Sequence, residues 1–377
     1  MEIVAHIITG LDVGGAEKFL LRFLKARKGD IGYLVISLRG NGSLAGRIEE
    51  QGIPVHSMAI SHAFSLPEAY RKIREVVIQQ KAGLIQSWMY KADLLSTYLS
   101  HDLGIPLIWN VRQTNIRHRY NSLGTIVSLR LLRALSKRYV ARIVYCAHAS
   151  RQNHERAGYN PKIGQVIPNG IDISVFSPNA DLRDNARLRI GVDNAIPVVG
   201  NVGRFDVQKG QLEFVACAAR IHRQEPRTRF VMIGKGVTEE NIPLMKAIRD
   251  HGLQKHFILM GEQEEIAMLL NGVDVFLGCS AGEGWPNAIA EAMATGVPCV
   301  ATDVGDTGRV MGDTGYVHEY ADTENLANSV VDLLRLTRSQ RCEVGERERR
   351  YIVEHYSIEL SVASYEQMYK TMLRGTG

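Results

Sequence analysis

Short apolar runs alternate with amphipathic stretches along almost the whole chain. In the first half the runs are Ile3–Thr9, Tyr33–Leu38, Pro54–Ala59, Leu84–Trp88, Pro106–Val111, Arg142–Ala147 and Gln165–Pro168. Between them, Ala16–Arg27, Pro67–Gln80 and Ala92–Leu103 carry helical spacing. In the second half the runs are Pro197–Val202, Phe230–Gly234, Phe257–Gly261, Val273–Cys279 and Pro298–Thr302. They are apolar throughout rather than alternating, as strands are when helices cover both faces of a parallel sheet. The repeated β-α-β order predicts an α/β chain of two doubly wound, Rossmann-like parallel-sheet domains. The junction is expected near Asn169–Pro178, where Pro168, Gly170 and Pro178 punctuate a strand end. Ligands are expected beyond the carboxyl ends of the strands, with two such edges facing each other across a cleft.

The chain has 377 residues, 45% of them hydrophobic, enough for two cores. Its first residues read as a strand without a basic leader or cleavage site, and no run approaches the ~18 apolar residues of a spanning helix. Cys146, Cys217, Cys279, Cys299 and Cys342 are scattered without a C-x-x-C pair, so reduced thiols in a cytoplasmic protein are expected. The net charge of +5 hides an asymmetry. Residues 1–168 hold 23 Lys+Arg against 11 Asp+Glu, a balance of +12, which leaves −7 for the remainder. No acid occurs between Asp102 and Glu155, while Arg112, Arg117, Arg119, Arg130, Arg133, Lys137, Arg138, Arg142 and Arg151 accumulate there. Such a face attracts phosphates, anionic lipid or nucleic acid, or is simply a solvated surface.

Three segments carry chemistry. In Ala281-Gly282-Glu283-Gly284-Trp285-Pro286-Asn287-Ala288-Ile289-Ala290-Glu291 a strand ends in a glycine-rich loop, Pro286 suits the first turn of the next helix, and Gly296 stops it. The helix end favours an anion or hydroxyl. Glu283 in the loop and Glu291 within the helix suit a neutral polyol held through its hydroxyls; equally, each reads as an ordinary surface or first-turn acid. In Gly200-Asn201-Val202-Gly203-Arg204-Phe205-Asp206-Val207-Gln208-Lys209-Gly210, Arg204 and Lys209 project from one strand-to-helix loop and are placed to grip a diphosphate. The third, Gly10 to Glu17, is either a close-approach loop for phosphate or sugar or a tight turn; it is neither G-x-G-x-x-G nor G-K-[ST].

At this spacing the segments resemble glycosyltransferase family 4, the group 1 glycosyltransferases of GT-B fold, from Ile3 to about Tyr369. The matching residues include Gly14-Gly15-Ala16-Glu17, the Val166–Asp172 hinge, Val202-Gly203-Arg204 with Lys209-Gly210, Ile233-Gly234-Lys235-Gly236, and Glu283 with Glu291-Ala292-Met293-Ala294. The resemblance implies an acceptor-binding domain at residues 1–168, completed by a helix at about 356–377. It implies a nucleotide-sugar-binding domain at 169–355. It further implies retaining transfer of a sugar from a nucleoside diphosphate, UDP- or GDP-linked, without cofactor or metal; no Asp-x-Asp occurs. Position by position, Arg204 and Lys209 would neutralise the diphosphate, Glu283 would hold the sugar hydroxyls and Glu291 the ribose. The backbone of Gly203, Gly234 and Gly284 to Asn287, Trp285 and Pro286 included, would line the donor, Gly14 and Gly15 would close over it, and Glu262 to Glu264 would lie where the base-binding loop runs.

Many relatives carry a histidine just after the strand equivalent to Pro106–Val111. Here Arg112 stands at that point. Arginine cannot act as a base but can bind a phosphate; His118 is either a substitute or a surface histidine. The segment Leu123–Val140 interleaves apolar residues with Arg130, Arg133, Lys137 and Arg138. Together with Arg112, Arg117 and His118 it reads as an acceptor or membrane face, suited to a glycan or polyprenyl-diphosphate-linked acceptor at an anionic inner membrane surface. A helix packed between elements with a charged outer face is the other reading. No dinucleotide fingerprint supports a dehydrogenase and no recognition motif supports nucleic-acid binding. A sugar-nucleotide epimerase and a non-catalytic nucleotide-sugar-binding protein of the same fold remain as alternatives.

Overall fold

A computed structural model describes residues 2–12, 14–60, 66–116 and 123–374. The chain divides into two compact units: Met1–Gly170 with Ile358–Gly377, and Ile171–Ser357.

The first unit holds strands β1 (Ile3–Ile8), β2 (Gly32–Ser37), β3 (Val55–Ser57), β4 (Ala82–Trp88), β5 (Leu107–Val111), β6 (Arg142–Tyr145) and β7 (Gly164–Val166). Its helices are α1 (Gly15–Ala26), α2 (Ala45–Glu49), α3 (Leu66–Gln79), α4 (Tyr90–Leu103), α5 (Leu123–Leu135) and α6 (His148–Arg156). The strands are parallel in the order β3-β2-β1-β4-β5-β6-β7. The chain moves outward from β1 to β3 and then returns past β1 to β4, so the order reverses between β1 and β4. Such a reversal opens a crevice beyond the strand ends.

The C-terminal helix, Ile358–Arg374, completes this unit. Ile358, Val362, Tyr365, Tyr369 and Leu373 recur at three- to four-residue spacing and join a core with Phe19, Phe23 and Trp88. Polar contacts fix its register: the Tyr369 hydroxyl donates to Gln86 Oε1 at 2.5 Å, and Glu366 Oε1 accepts the N–H groups of Lys28 and Gly29 at 3.2 and 3.1 Å. His6 of β1 is fully buried in the same core, where its Nδ1 accepts from Trp88 Nε1 at 3.1 Å.

The second unit holds β8 (Val198–Val202), β9 (Arg229–Ile233), β10 (Phe257–Leu259), β11 (Val275–Gly278), β12 (Cys299–Thr302) and β13 (Tyr316–His318). Its helices are α7 (Ala180–Ile190), α8 (Gln211–Gln224), α9 (Ile242–Asp250), α10 (Ile266–Asn271), α11 (Asn287–Ala294), α12 (Thr307–Met311), α13 (Thr323–Arg335) and α14 (Arg338–Tyr356). The parallel order is β10-β9-β8-β11-β12-β13, so this sheet reverses between β8 and β11. On α14, Glu348 is fully buried and both its oxygens accept the Cys299 N–H, at 3.3 and 3.1 Å.

The apolar runs mark the strands but misplace some edges: Phe257–Gly261 closes at Leu259 and Val273–Cys279 spans Val275–Gly278, whereas the run Leu84–Trp88 starts two residues late, the strand beginning at Ala82. Some of the shortest elements carry no sequence signal: β13 is three half-buried residues, and α2 and α12 are each barely more than one turn. None of the five cysteines forms a disulfide; four are buried and Cys342 is exposed.

Candidate active site

The reversal between β8 and β11 decides what meets what in the second unit. The two strands pair directly, Val199 with Val275 and Gly200 with Phe276, so the loops that follow them are neighbours. One loop carries Arg204 and Lys209, the other Glu283. Backbone bonds join them: Ala281 N donates to Gln208 O at 2.9 Å, and Gly282 N to the same oxygen at 3.3 Å.

The loop after β8 runs through a 3-10 turn, Val207–Lys209, capped by Asp206, whose Oδ1 accepts from Gln208 N at 2.9 Å. Gly210 then adopts φ +65° and opens α8. A Cβ there would lie 1.8 Å from Cys279 O, so only glycine allows this close approach of loop to strand end. Lys209 consequently reaches Glu283, 74 positions away, donating to Oε1 at 2.6 Å and Oε2 at 2.9 Å. Ser280 Oγ donates to Glu283 Oε1 at 2.7 Å, and Thr302 Oγ1 holds Ser280 O at 2.6 Å. The Glu283 carboxylate is thus oriented from two sides, and only 10% of its side chain is exposed. Arg204 pairs with Asp206 at 3.2 Å, and 68% of its side chain is exposed.

The remaining donor-side candidates sit around this cluster. Gly203 donates to Ile233 O at 2.8 Å and Gly234 to Gly261 O at 2.7 Å, which ties the ends of β8, β9 and β10 together. Gly284 O accepts from Asp306 N at 3.2 Å. Trp285 is buried, and its ring meets that of Tyr356 at 4.8 Å between centroids. Pro286 stands at the N-cap rather than within the first turn, and Asn287 opens α11. Glu291 is half-buried on that helix. Glu262 and Glu264 are exposed beyond β10. Arg204, Lys209, Glu283 and Glu291 all belong to the second unit, and the ion pair joins two of them.

Gly14, Gly15 and Arg112 belong to the first unit. Gly14 and Gly15 begin α1 after β1, beside that unit's own strand reversal. Arg112 follows β5 and is half-buried. Its guanidinium lies over the Phe19 ring at 4.0 Å and donates to Asn110 Oδ1 and the Tyr365 hydroxyl, each at 3.3 Å, and to Asn169. In this arrangement Arg112 links β5, the C-terminal helix and the segment leading out of the unit. Arg117 and His118 lie outside the described residues. On α5 the outer face carries exposed Val127 and Leu131 with Arg130 and Arg133; Lys137 and Arg138 follow just beyond, also exposed.

Two residues of the cluster escape motif reading. Ser280 is a short uncharged residue at a strand end. Gln211 is a polar residue on an otherwise apolar stripe, Gln211-Phe214-Val215-Ala218, and that break in the pattern is its one available signal. Among the described residues no group of three His, Cys, Asp or Glu is arranged to hold a metal ion, and no helix is long and apolar enough to cross a membrane.

The family described as Glycosyltransferase Family 4 matches residues 13–175, and Glycosyl transferases group 1 matches residues 196–336. An N-acetyl-alpha-D-glucosaminyl L-malate synthase of Bacillus anthracis is 30% identical across 59% of this chain and 57% of its own length. A UDP-Gal:alpha-D-GlcNAc-diphosphoundecaprenol alpha-1,3-galactosyltransferase of Escherichia coli is 29% identical across 55% and 54%. The chain therefore spans little more than half the length of these two relatives. The capsular polysaccharide biosynthesis glycosyltransferase CapH of Staphylococcus aureus is 25% identical across 77% and 78%. Among solved structures, Anabaena HepE in complex with UDP-glucose superposes with a TM-score of 0.85 at 20% identity, over 98% of this chain and 100% of that one. Sucrose-phosphate synthase from Thermosynechococcus elongatus gives 0.81 at 17% identity, over the whole of both chains. At these identities the superpositions bear on the fold, which is GT-B. With one family match on each parallel-sheet unit and the charged cluster at the second unit's strand reversal, the chain belongs to the group 1, family 4 glycosyltransferases.

Proposed function

We propose that this protein is a retaining glycosyltransferase that moves a sugar from a nucleoside diphosphate to a hydroxyl of a glycan or lipid-linked glycan in cell-envelope polysaccharide synthesis. The observation that carries the reading is the Lys209–Glu283–Ser280 cluster at the strand reversal, with Arg204 on the adjoining loop. A sugar diphosphate needs both signs of charge within a few ångströms: acceptors for its hydroxyls and cations for its phosphates. This cluster supplies them from one frame.

In the proposed step the bond between the sugar's anomeric carbon and the diphosphate oxygen breaks, and its electron pair stays on that oxygen. The acceptor hydroxyl oxygen bonds to the anomeric carbon from the same face, and its proton passes to the departing diphosphate. Lys209 and Arg204 stabilise the charge that builds on the leaving group, worth ~3–4 kcal/mol for a well-placed donor. Glu283 fixes the sugar through its hydroxyls and Glu291 the ribose. The cations take the part that a metal ion plays elsewhere, so no resident metal is required.

A UDP-sugar is the first donor to try, because HepE is seen with UDP-glucose and the E. coli relative is named for UDP-Gal. The basic, part-apolar outer face of α5 suits a peripheral position on an anionic membrane, where a lipid-linked acceptor would be met. The test is acceptor-dependent release of nucleoside diphosphate across a panel of UDP- and GDP-sugars, followed by Lys209→Met and Glu283→Gln. Each should lower turnover ~100-fold or more with a native fold. Release independent of acceptor, or near-native turnover in either variant, would refute the reading.

A further inference from the structure

Arg204 itself lies in no strand or helix, and one buried side chain holds the backbone around it. Gln211, the first residue of α8, is 2% exposed. Its Nε2 donates to Arg204 O at 2.7 Å and to Gly203 O at 3.4 Å, while its Oε1 accepts from Asp206 N at 3.3 Å. One amide therefore reads two carbonyls and one N–H on either side of Arg204. Only a side chain with a donor and an acceptor on one carbon does this. A carboxylate would turn an oxygen toward two carbonyl oxygens, and a thioether would leave all three backbone groups without partners.

The geometry points to Gln211 as a positioning residue for the donor diphosphate. It fixes the Arg204 peptide so that the exposed guanidinium and the Lys209 ammonium, projected from the two ends of one short loop, converge on the same ligand. Asp206 serves the same end: its N–H is held by Gln211, its Oδ1 caps the 3-10 turn that presents Lys209, and its Oδ2 pairs with Arg204. The inference rests on the reading of Arg204 and Lys209 as a diphosphate grip, and it adds that the grip depends on a neutral residue touching neither substrate.

The experiment titrates UDP and GDP into the unaltered protein, Gln211→Met, Arg204→Ala, the double variant of these two and Lys209→Met, using whichever nucleotide binds the unaltered protein more tightly. Gln211→Met should weaken nucleotide binding about tenfold, and should add distinctly less once Arg204 is already alanine, because the closest of its bonds is to the Arg204 carbonyl and only the longer Asp206 bond reaches the Lys209 turn. Gln211→Asn, which keeps both amide atoms one methylene shorter, should fall between and stands in if the methionine variant does not fold. Equal weakening by Gln211→Met in both backgrounds would show a general effect on the fold and overturn the inference. Normal binding in Gln211→Met beside weak binding in Arg204→Ala would overturn it while leaving the donor site standing. Normal binding in Arg204→Ala and in Lys209→Met would remove the donor reading itself.

Discussion

Gly210 lies where the loop after β8 presses against the end of β11, and its replacement separates two costs that a left-handed glycine usually combines. Gly191, at the end of α7, has φ +79°, and a Cβ added there would meet nothing within 4 Å, so Gly191→Ala pays only for backbone conformation. That cost is about 1–2 kcal/mol. Gly210→Ala at φ +65° incurs the same cost, but its Cβ would also lie 1.8 Å from Cys279 O, 2.5 Å from Cys279 C and 3.2 Å from Ser280 N. These are backbone atoms of a buried strand end, so no side chain can swing away. Relief requires a shift of more than ~1 Å, and overpacking of this kind adds about 1–3 kcal/mol. For a domain of this size each kcal/mol lowers the melting temperature by about 2–4 °C. Gly191→Ala should therefore lose roughly 2–8 °C and Gly210→Ala roughly 4–20 °C. Nucleotide binding should separate them further, since the displaced strand end leads into Ser280 and Glu283. Calorimetry with and without UDP measures both quantities. Equal melting losses, or normal nucleotide affinity in Gly210→Ala, would refute the argument that this contact sets the site.

Three more outcomes are expected. Burial holds the Glu348 carboxyl well above its ordinary range against the opposing Cys299 bonds, so the folded state retains a proton that the unfolded chain releases as pH rises above ~4.5; Glu348→Gln still accepts the Cys299 N–H, and its stability relative to the parent should grow between pH 5 and 8 in thermal melts. A constant difference would count against a buried proton there. Burial lowers His6 to about 3 and His154 to about 4, so stability should fall as pH drops below ~6.5, by up to about 1.4 kcal/mol per pH unit for each ring; His6→Gln should remove one proton from that slope in urea titrations. Neutralising Arg130, Arg133, Lys137 and Arg138 should weaken salt-sensitive flotation with phosphatidylglycerol vesicles at least tenfold, since each basic group near an anionic surface is worth about 1 kcal/mol; binding unaffected by salt or by the substitutions would remove the membrane proposal.

What is legible in the sequence follows the range of the forces involved. Strands buried on both faces announce themselves by composition alone, which is why β1, β2, β4 and β5 stand out and the short, half-buried β13 does not. Glu283 and Lys209 stand out because charge in a glycine-rich loop is conspicuous. That they pair with each other depends on β8 lying beside β11, which no local pattern states. Arg112 shows the reverse difficulty. Its position after β5 suggests a ligand-facing cation, yet its guanidinium engages Phe19, Tyr365 and Asn169, residues brought to it by tertiary packing. Gln211 and Ser280 carry no charge and no motif; a polar break in an apolar stripe hints at Gln211, and only its hydrogen bonds distinguish Ser280.

The C-terminal helix gives the chain an awkward order of manufacture. On the ribosome, the residues that seal the first unit emerge only after the entire second unit has been made. At about 5–20 residues per second the nascent first unit waits on the order of ten seconds or more with Phe19, Phe23 and Trp88 lacking their cover. The second unit, contiguous from Ile171 to Ser357, has no such wait. Holding chaperones should therefore favour the earlier-made half, and a stall before residue 358 should yield a product that is half finished and prone to aggregate.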